Sequence, residues 1–193
     1  MNRTSEHWLE YYANTSSEEK ELIEKVMSFG KWFNDMKFSD DNDDLLNGIV
    51  PEELENFDYC WFSYRVDPLE KCEGYYNHKK QVLVISDELK GISRDSVILH
   101  EMIHLHEDVI NELPLYYHDI LYWKLYSKLK EEVHNLDELI KDSTFLYENQ
   151  VMYDEGGLHD IVFFLKSLEL DVINGYTLGT VFGYGKLEDI VKT

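Results

Sequence analysis

A chain of 193 residues, 44% hydrophobic and 14% aromatic, can fill one buried core. Its 18 basic against 39 acidic residues, a net charge of −21, argue against a phosphate-binding nucleic-acid surface and against docking on an anionic membrane. No stretch has the length of a membrane-spanning helix, the first residues lack the apolar core of an export signal, and Cys60 and Cys72 are too few for a disulfide scaffold, so the expected setting is the cytoplasm with both thiols reduced.

In chain order, Ser16-Ser17-Glu18-Glu19 resembles a capping box. Leu22, Ile23, Val26, Met27, Phe29, Phe33 and Met36 then recur at helical spacing and predict a helix over 16–37. The acid run at 39–44 lacks the glycine and terminal glutamate of a calcium loop and reads as a solvated connector. Pro51-Glu52-Glu53-Leu54-Glu55 suits the start of a short helix. The aromatic and β-branched segment Tyr59–Val66, broken at Asp67-Pro68, reads as a strand. So do the residues after Gly74 and the run Gln81–Ser86, together predicting an antiparallel meander of two or three strands. Cys60 and Cys72 flank this region, close enough for a bridge to be conceivable.

A helix is expected next, capped by Ser93 or Asp95. Pro114 breaks the chain, and His118–Leu129 has helical periodicity that continues, with a bend, through Asp137–Ile140. Gly156-Gly157 introduces a further helix from Leu158 to about Leu168. The Gly-spaced, aromatic tail 175–185 is too apolar to hang free and is expected to fold back as a turn-rich strand or loop. No linker or repeat divides the chain. The class predicted is α+β: one domain over 1–193, with a small antiparallel sheet packed on several helices, metal-site elements over 58–130 and C-terminal helices and tail over 131–193.

Within the predicted helix after Arg94, residues 100–104 read His-Glu-Met-Ile-His, inside the apolar run Val97-Ile98-Leu99 and Leu105. Residues four apart share a helix face, so His100 and His104 can aim two imidazoles at one point, and Glu101 sits where it can take a proton from a metal-activated water. With eight histidines and 22 glutamates, chance placement gives this pattern roughly four times in a hundred such chains. The bland reading is a buried helix whose histidines bond to backbone or carboxylates. It leaves two inward-facing imidazoles and a buried acid in need of partners.

A catalytic zinc site takes three protein ligands and keeps the fourth position open. His106 lies two residues past His104 and points off the shared face. His118 opens a new helix beyond Pro114, and His159 opens another; His118-Asp119-Ile120 and His159-Asp160-Ile161 echo one another. The short loop between ligands favours His118, with His159 as the alternative, and either following aspartate can cap its helix or orient a ligand.

From Gly74 to about Leu129, three features resemble the SprT-like zinc metalloprotease domain: the strand Gln81–Ser86, the helix Val97–His104, and His118 followed four residues on by Tyr122. That resemblance implies a zincin-like fold, His100, His104 and His118 as ligands of Zn2+, and Glu101 as general base. It also implies strand 81–86 as the sheet edge along which a substrate peptide lies. The expected activity is therefore zinc-dependent hydrolysis of a polypeptide substrate. The alternative is a non-catalytic interaction domain, with or without metal, whose acidic surface engages a basic partner.

Overall fold

The computed structural model of the chain describes residues 5–34, 36, 58–110, 116–142 and 159–183. The acid run at 39–44, the short helix expected from Pro51, the break at Pro114 and the Gly156-Gly157 pair lie outside the described residues.

The chain opens with a helix absent from the sequence expectations, α1 (Ser5–Asn14). Its Tyr11 hydroxyl accepts from the Tyr64 N–H at 2.8 Å and donates to the Tyr64 carbonyl at 3.0 Å. One side chain thereby satisfies both outward backbone groups of a sheet edge, which would otherwise be open to pairing with another chain. Helix α2 (Ser17–Phe29) begins at the anticipated capping box. The Ser16 hydroxyl accepts from the Glu19 N–H, and the Glu19 carboxylate accepts from the Ser16 N–H. The helix ends earlier than the periodicity predicts and tightens into a 3-10 turn, Gly30–Phe33. At Gly30 a Cβ would meet the Tyr59 ring at 2.4 Å, so only glycine lets these segments touch.

Asp58 caps a short 3-10 turn, Tyr59–Trp61, so the first strand starts later than expected, as β1 (Ser63–Asp67). A hairpin follows: β2 (Gly74–Asn77) and β3 (Val82–Ser86), with Gln81 at φ 50° in the turn. β2 pairs with β3 antiparallel, but β1 pairs with β3 in parallel, giving a mixed sheet of order β1-β3-β2. The antiparallel meander is thus corrected for one of its two pairings. The expectation that residues 81–86 form an edge is corrected too, because β3 is the central strand. All five of its residues are buried, and a strand covered on both faces reads as a continuous apolar run, as Val82-Leu83-Val84-Ile85 does.

The motif helix, α3 (Ile92–Ile110), starts ahead of both expected caps. Asp95 pairs instead with Lys25 of α2 at 2.8 Å, fastening the two helices. α3 lies across β2 and β3 on one side and meets the last helix on the other. Gly74 permits that approach: a Cβ there would fall 2.7 Å from Val97 Cγ1. Helix α4 (Tyr116–Glu132) and the short α5 (Leu136–Asp142) realise the predicted bent helical stretch.

Helix α6 (Ile161–Asn174) begins three residues after the expected start and runs six beyond the expected end. Asp160 caps it through the Phe163 N–H at 2.8 Å, and Gly175, at φ 66°, ends it in the left-handed conformation. Every residue from Val162 to Asp171 is buried, which makes α6 the centre of the helical layer, against α3 and α4. Its one cation, Lys166, is compensated inside by Glu169 and by the Trp32 carbonyl, both at 2.6 Å. Past Gly175 the chain folds back in turns that bury Val181 and Phe182 against the core. Cys60 and Cys72 are both free thiols, and no described helix is long and apolar enough to cross a membrane.

Candidate metal centre

His100 and His104 stand one turn apart on α3, as the spacing requires, with ring centroids 5.1 Å apart. The third ring beside them is His159, at 4.9 Å from His100 and 5.0 Å from His104. The three rings form a nearly equilateral triangle, and their ligating nitrogens all lie within 4.8 Å of one another. The expectation of His118 as third ring is therefore corrected in favour of the alternative. His118 sits in the first turn of α4, half-buried, and its charge is felt by the Asp160 carboxyl rather than by the triangle. The cause is packing. α6 is enclosed on all sides, its first turn Val162-Phe163-Phe164-Leu165 is wholly apolar and packs against α3, and the residue just ahead of its cap is carried to the motif face.

Phe163, one turn into α6, lies beneath the whole triangle, with its ring 4.8, 4.6 and 4.4 Å from His100, His104 and His159. His100 and His159 remain half-buried, whereas His104 is buried, so the triangle is open to solvent on one side.

Two rings are anchored from behind. His100 Nδ1 is 2.9 Å from the Val181 carbonyl. A carbonyl only accepts, so Nδ1 carries the proton and Nε2 keeps its lone pair for the triangle. His104 Nδ1 is 3.3 Å from a carboxylate oxygen of Glu107, one turn on. The Nε2 atoms of His104 and His159 then face each other at 3.1 Å. Without a cation such a pair must share one proton. Around a tetrahedral zinc, two Zn–N bonds of about 2.0–2.1 Å set their nitrogens roughly 3.4 Å apart, close to this separation. Nitrogen-only donors, ring nitrogens fixed by outer bonds and one open side all suit a borderline ion of this type.

The electrostatics favour neutral rings. Burial lowers His100 despite the opposing pull of its carbonyl bond. It lowers His104 strongly, with His100 and His159 adding like-charge repulsion. His159 is brought down to about 4, by burial first and His100 second. A neutral imidazole is the form that can take a metal ion.

Glu101 is buried at the sheet side of the triangle, and the backbone N–H of Tyr76 donates to its carboxylate. Ser86 donates to the Glu73 carbonyl, so in the β2–β3 ladder the next non-bonded pairs are Gly74–Ile85 and Tyr76–Leu83. The Tyr76 N–H therefore points outward from the β2 edge, and Glu101 meets it there. Burial pushes Glu101 up to about 8 against that hydrogen bond. Glu107, equally enclosed, is raised well above the usual carboxylate range by burial and then by Asp160. Its role was missed from the sequence, although a carboxylate three residues past His104 on the same helix face is a usable signal. Of the tyrosines near the motif in sequence, Tyr122 stacks on Tyr126 of its own helix, and the side chains of Tyr116 and Tyr117 lie outside the described residues.

No family model matches the chain, no curated protein matches it, and no solved structure matches it.

Proposed function

We propose that the chain is a zinc-dependent peptidase whose metal ligands are His100, His104 and His159 and whose general base is Glu101. The observation that carries this reading is the convergence of three imidazoles, two of them anchored through Nδ1, beside a buried glutamate. A zinc ion bound there supplies Lewis acidity, making a water acidic and a carbonyl electrophilic near neutral pH. The chain's own residues do the rest. The lowered imidazoles stay neutral and available as ligands. Burial raises the proton affinity of the Glu101 carboxylate, which in its ionised form can accept a proton from water and pass it to a leaving amine. The Tyr76 N–H holds that carboxylate in place. The acidic balance disfavours a nucleic-acid partner, and a cytoplasmic setting fits the two free thiols.

Glu101→Gln tests the reading. It should leave zinc content unchanged and lower peptide turnover by about 10²–10⁴-fold, the usual range for a general base. Full activity in that variant would remove Glu101 from the mechanism. A wild type that holds zinc yet cleaves nothing in a peptide library would favour the non-catalytic interaction domain.

A further inference from the structure

The carboxylate of Asp171 belongs to none of the groups assigned so far, yet it is buried near the end of α6. Its Oδ2 accepts from the Gly179 N–H at 2.6 Å and its Oδ1 from the Val181 N–H at 3.0 Å. Burial pushes this carboxyl up to about 7, opposed by the N–H donors of Val181, Gly179 and Thr180. An acid kept under that cost is held by what it binds, and what it binds is one short turn. Gly175, in the left-handed conformation, reverses the chain, and the Tyr176 N–H closes the reversal on the Asp171 carbonyl at 2.9 Å. The chain then runs back along α6 until Phe182 reaches Phe164 at 5.3 Å and His159 at 5.6 Å. Midway, the peptide whose N–H is fixed by Asp171 belongs to Val181, and the carbonyl of that same residue holds His100 Nδ1.

We propose that Asp171 is a positioning residue for the metal centre: by clamping the 179–181 turn it fixes the Val181 carbonyl, and through it the tautomer and ring orientation of His100. The inference rests on the reading of the triangle as a metal site and extends it. Groups that act on a ligand from behind commonly change metal affinity by about 10–100-fold when removed. Asp171 would do so at one remove, through the backbone.

The test uses the full chain with Asp171→Asn, in which one carboxylate oxygen becomes an NH2 that opposes a backbone N–H. Ser167→Ala serves as control, removing a buried α6 hydroxyl whose bond goes only to the Phe164 carbonyl. In the metal-free proteins, long-range 15N NMR should find His100 as the Nδ1–H tautomer in wild type and Ser167→Ala, and as a mixture in Asp171→Asn. Zinc affinity from chelator competition should fall about 10–100-fold in Asp171→Asn alone, with the far-UV spectrum kept. An unchanged tautomer and unchanged affinity in a folded Asp171→Asn protein overturn the inference and leave the metal site standing. A wild type that takes up no zinc overturns the metal reading itself. Should Asp171→Asn not fold, wild type still decides. Slow exchange of the Gly179 and Val181 amides with an Nδ1–H His100 supports the clamp, and an Nε2–H His100 overturns it.

Discussion

The chain contains two nearly identical openings to a helix, His118-Asp119-Ile120 and His159-Asp160-Ile161, and the fold treats them differently. In the second, His159 precedes the cap, Asp160 is the cap, and four residues past the histidine Phe163 lies under the three rings. In the first, His118 is already inside the first turn of α4, Asp119 is exposed, and the residue four on is Tyr122, half-buried against its own helix. The histidine does not differ; the helix that follows it does. Val162-Phe163-Phe164-Leu165 is apolar all round and must be enclosed, whereas Leu121-Tyr122-Trp123-Lys124 has an inner and an outer side, with Trp123 60% exposed. A histidine at the head of the enclosed helix is taken into the core with it.

Truncating the paired positions should widen this contrast. Phe163→Ala removes a fully buried ring and should cost about 3–5 kcal/mol in denaturant unfolding, together with zinc affinity. Tyr122→Ala should cost about 1 kcal/mol and leave zinc binding alone. Equal losses would show that the two helices are enclosed alike. The aspartates should separate less. Asp160→Ala deletes a cap and should lower stability by about 1 kcal/mol, against a few tenths for the exposed Asp119→Ala.

A pH series gives the smallest and most specific effect. His159 in the folded, metal-free chain accepts a proton only near pH 4, whereas unfolding returns it to about 6.5. Between these values the unfolded state binds the extra proton, so stability due to this ring is full above pH 6.5 and is lost as pH falls toward 4. Thermal melts of the metal-free protein should show this acid-side decline, and His159→Gln should flatten it. An identical slope in the variant would contradict the burial of that ring.

Much of this was legible in the sequence because the signals are local. The capping box at Ser16 and Glu19 and the i, i+4 histidines on one face are set by helix geometry alone, and both appear in the fold. The parallel pairing of β1 with β3 was not legible, since alternation and turn residues fix a strand but not its neighbour. A trace of it was present: an unbroken Val82–Ile85 run is the mark of a central strand, not of an edge. Loop length favours His118 as the ring beside the His100–His104 pair, but the enclosed helix that follows His159 brings that ring there instead. Glu107, three residues past His104, left a local signal in the helix spacing, whereas Asp171 acquires its partners only because the chain reverses at Gly175.

The central claim is that His159, rather than its sequence twin, completes the site. Zinc affinity of metal-depleted wild type, His159→Ala and His118→Ala, measured by chelator competition, tests it most directly. Losing one ligand should cost roughly 3 kcal/mol, a quarter of the apparent binding energy of a four-ligand zinc site, or on the order of a hundredfold. The account predicts that loss for His159→Ala and less than about a threefold change for His118→Ala, which touches no ligand. The reverse pattern, or a wild type that binds no zinc, would contradict it.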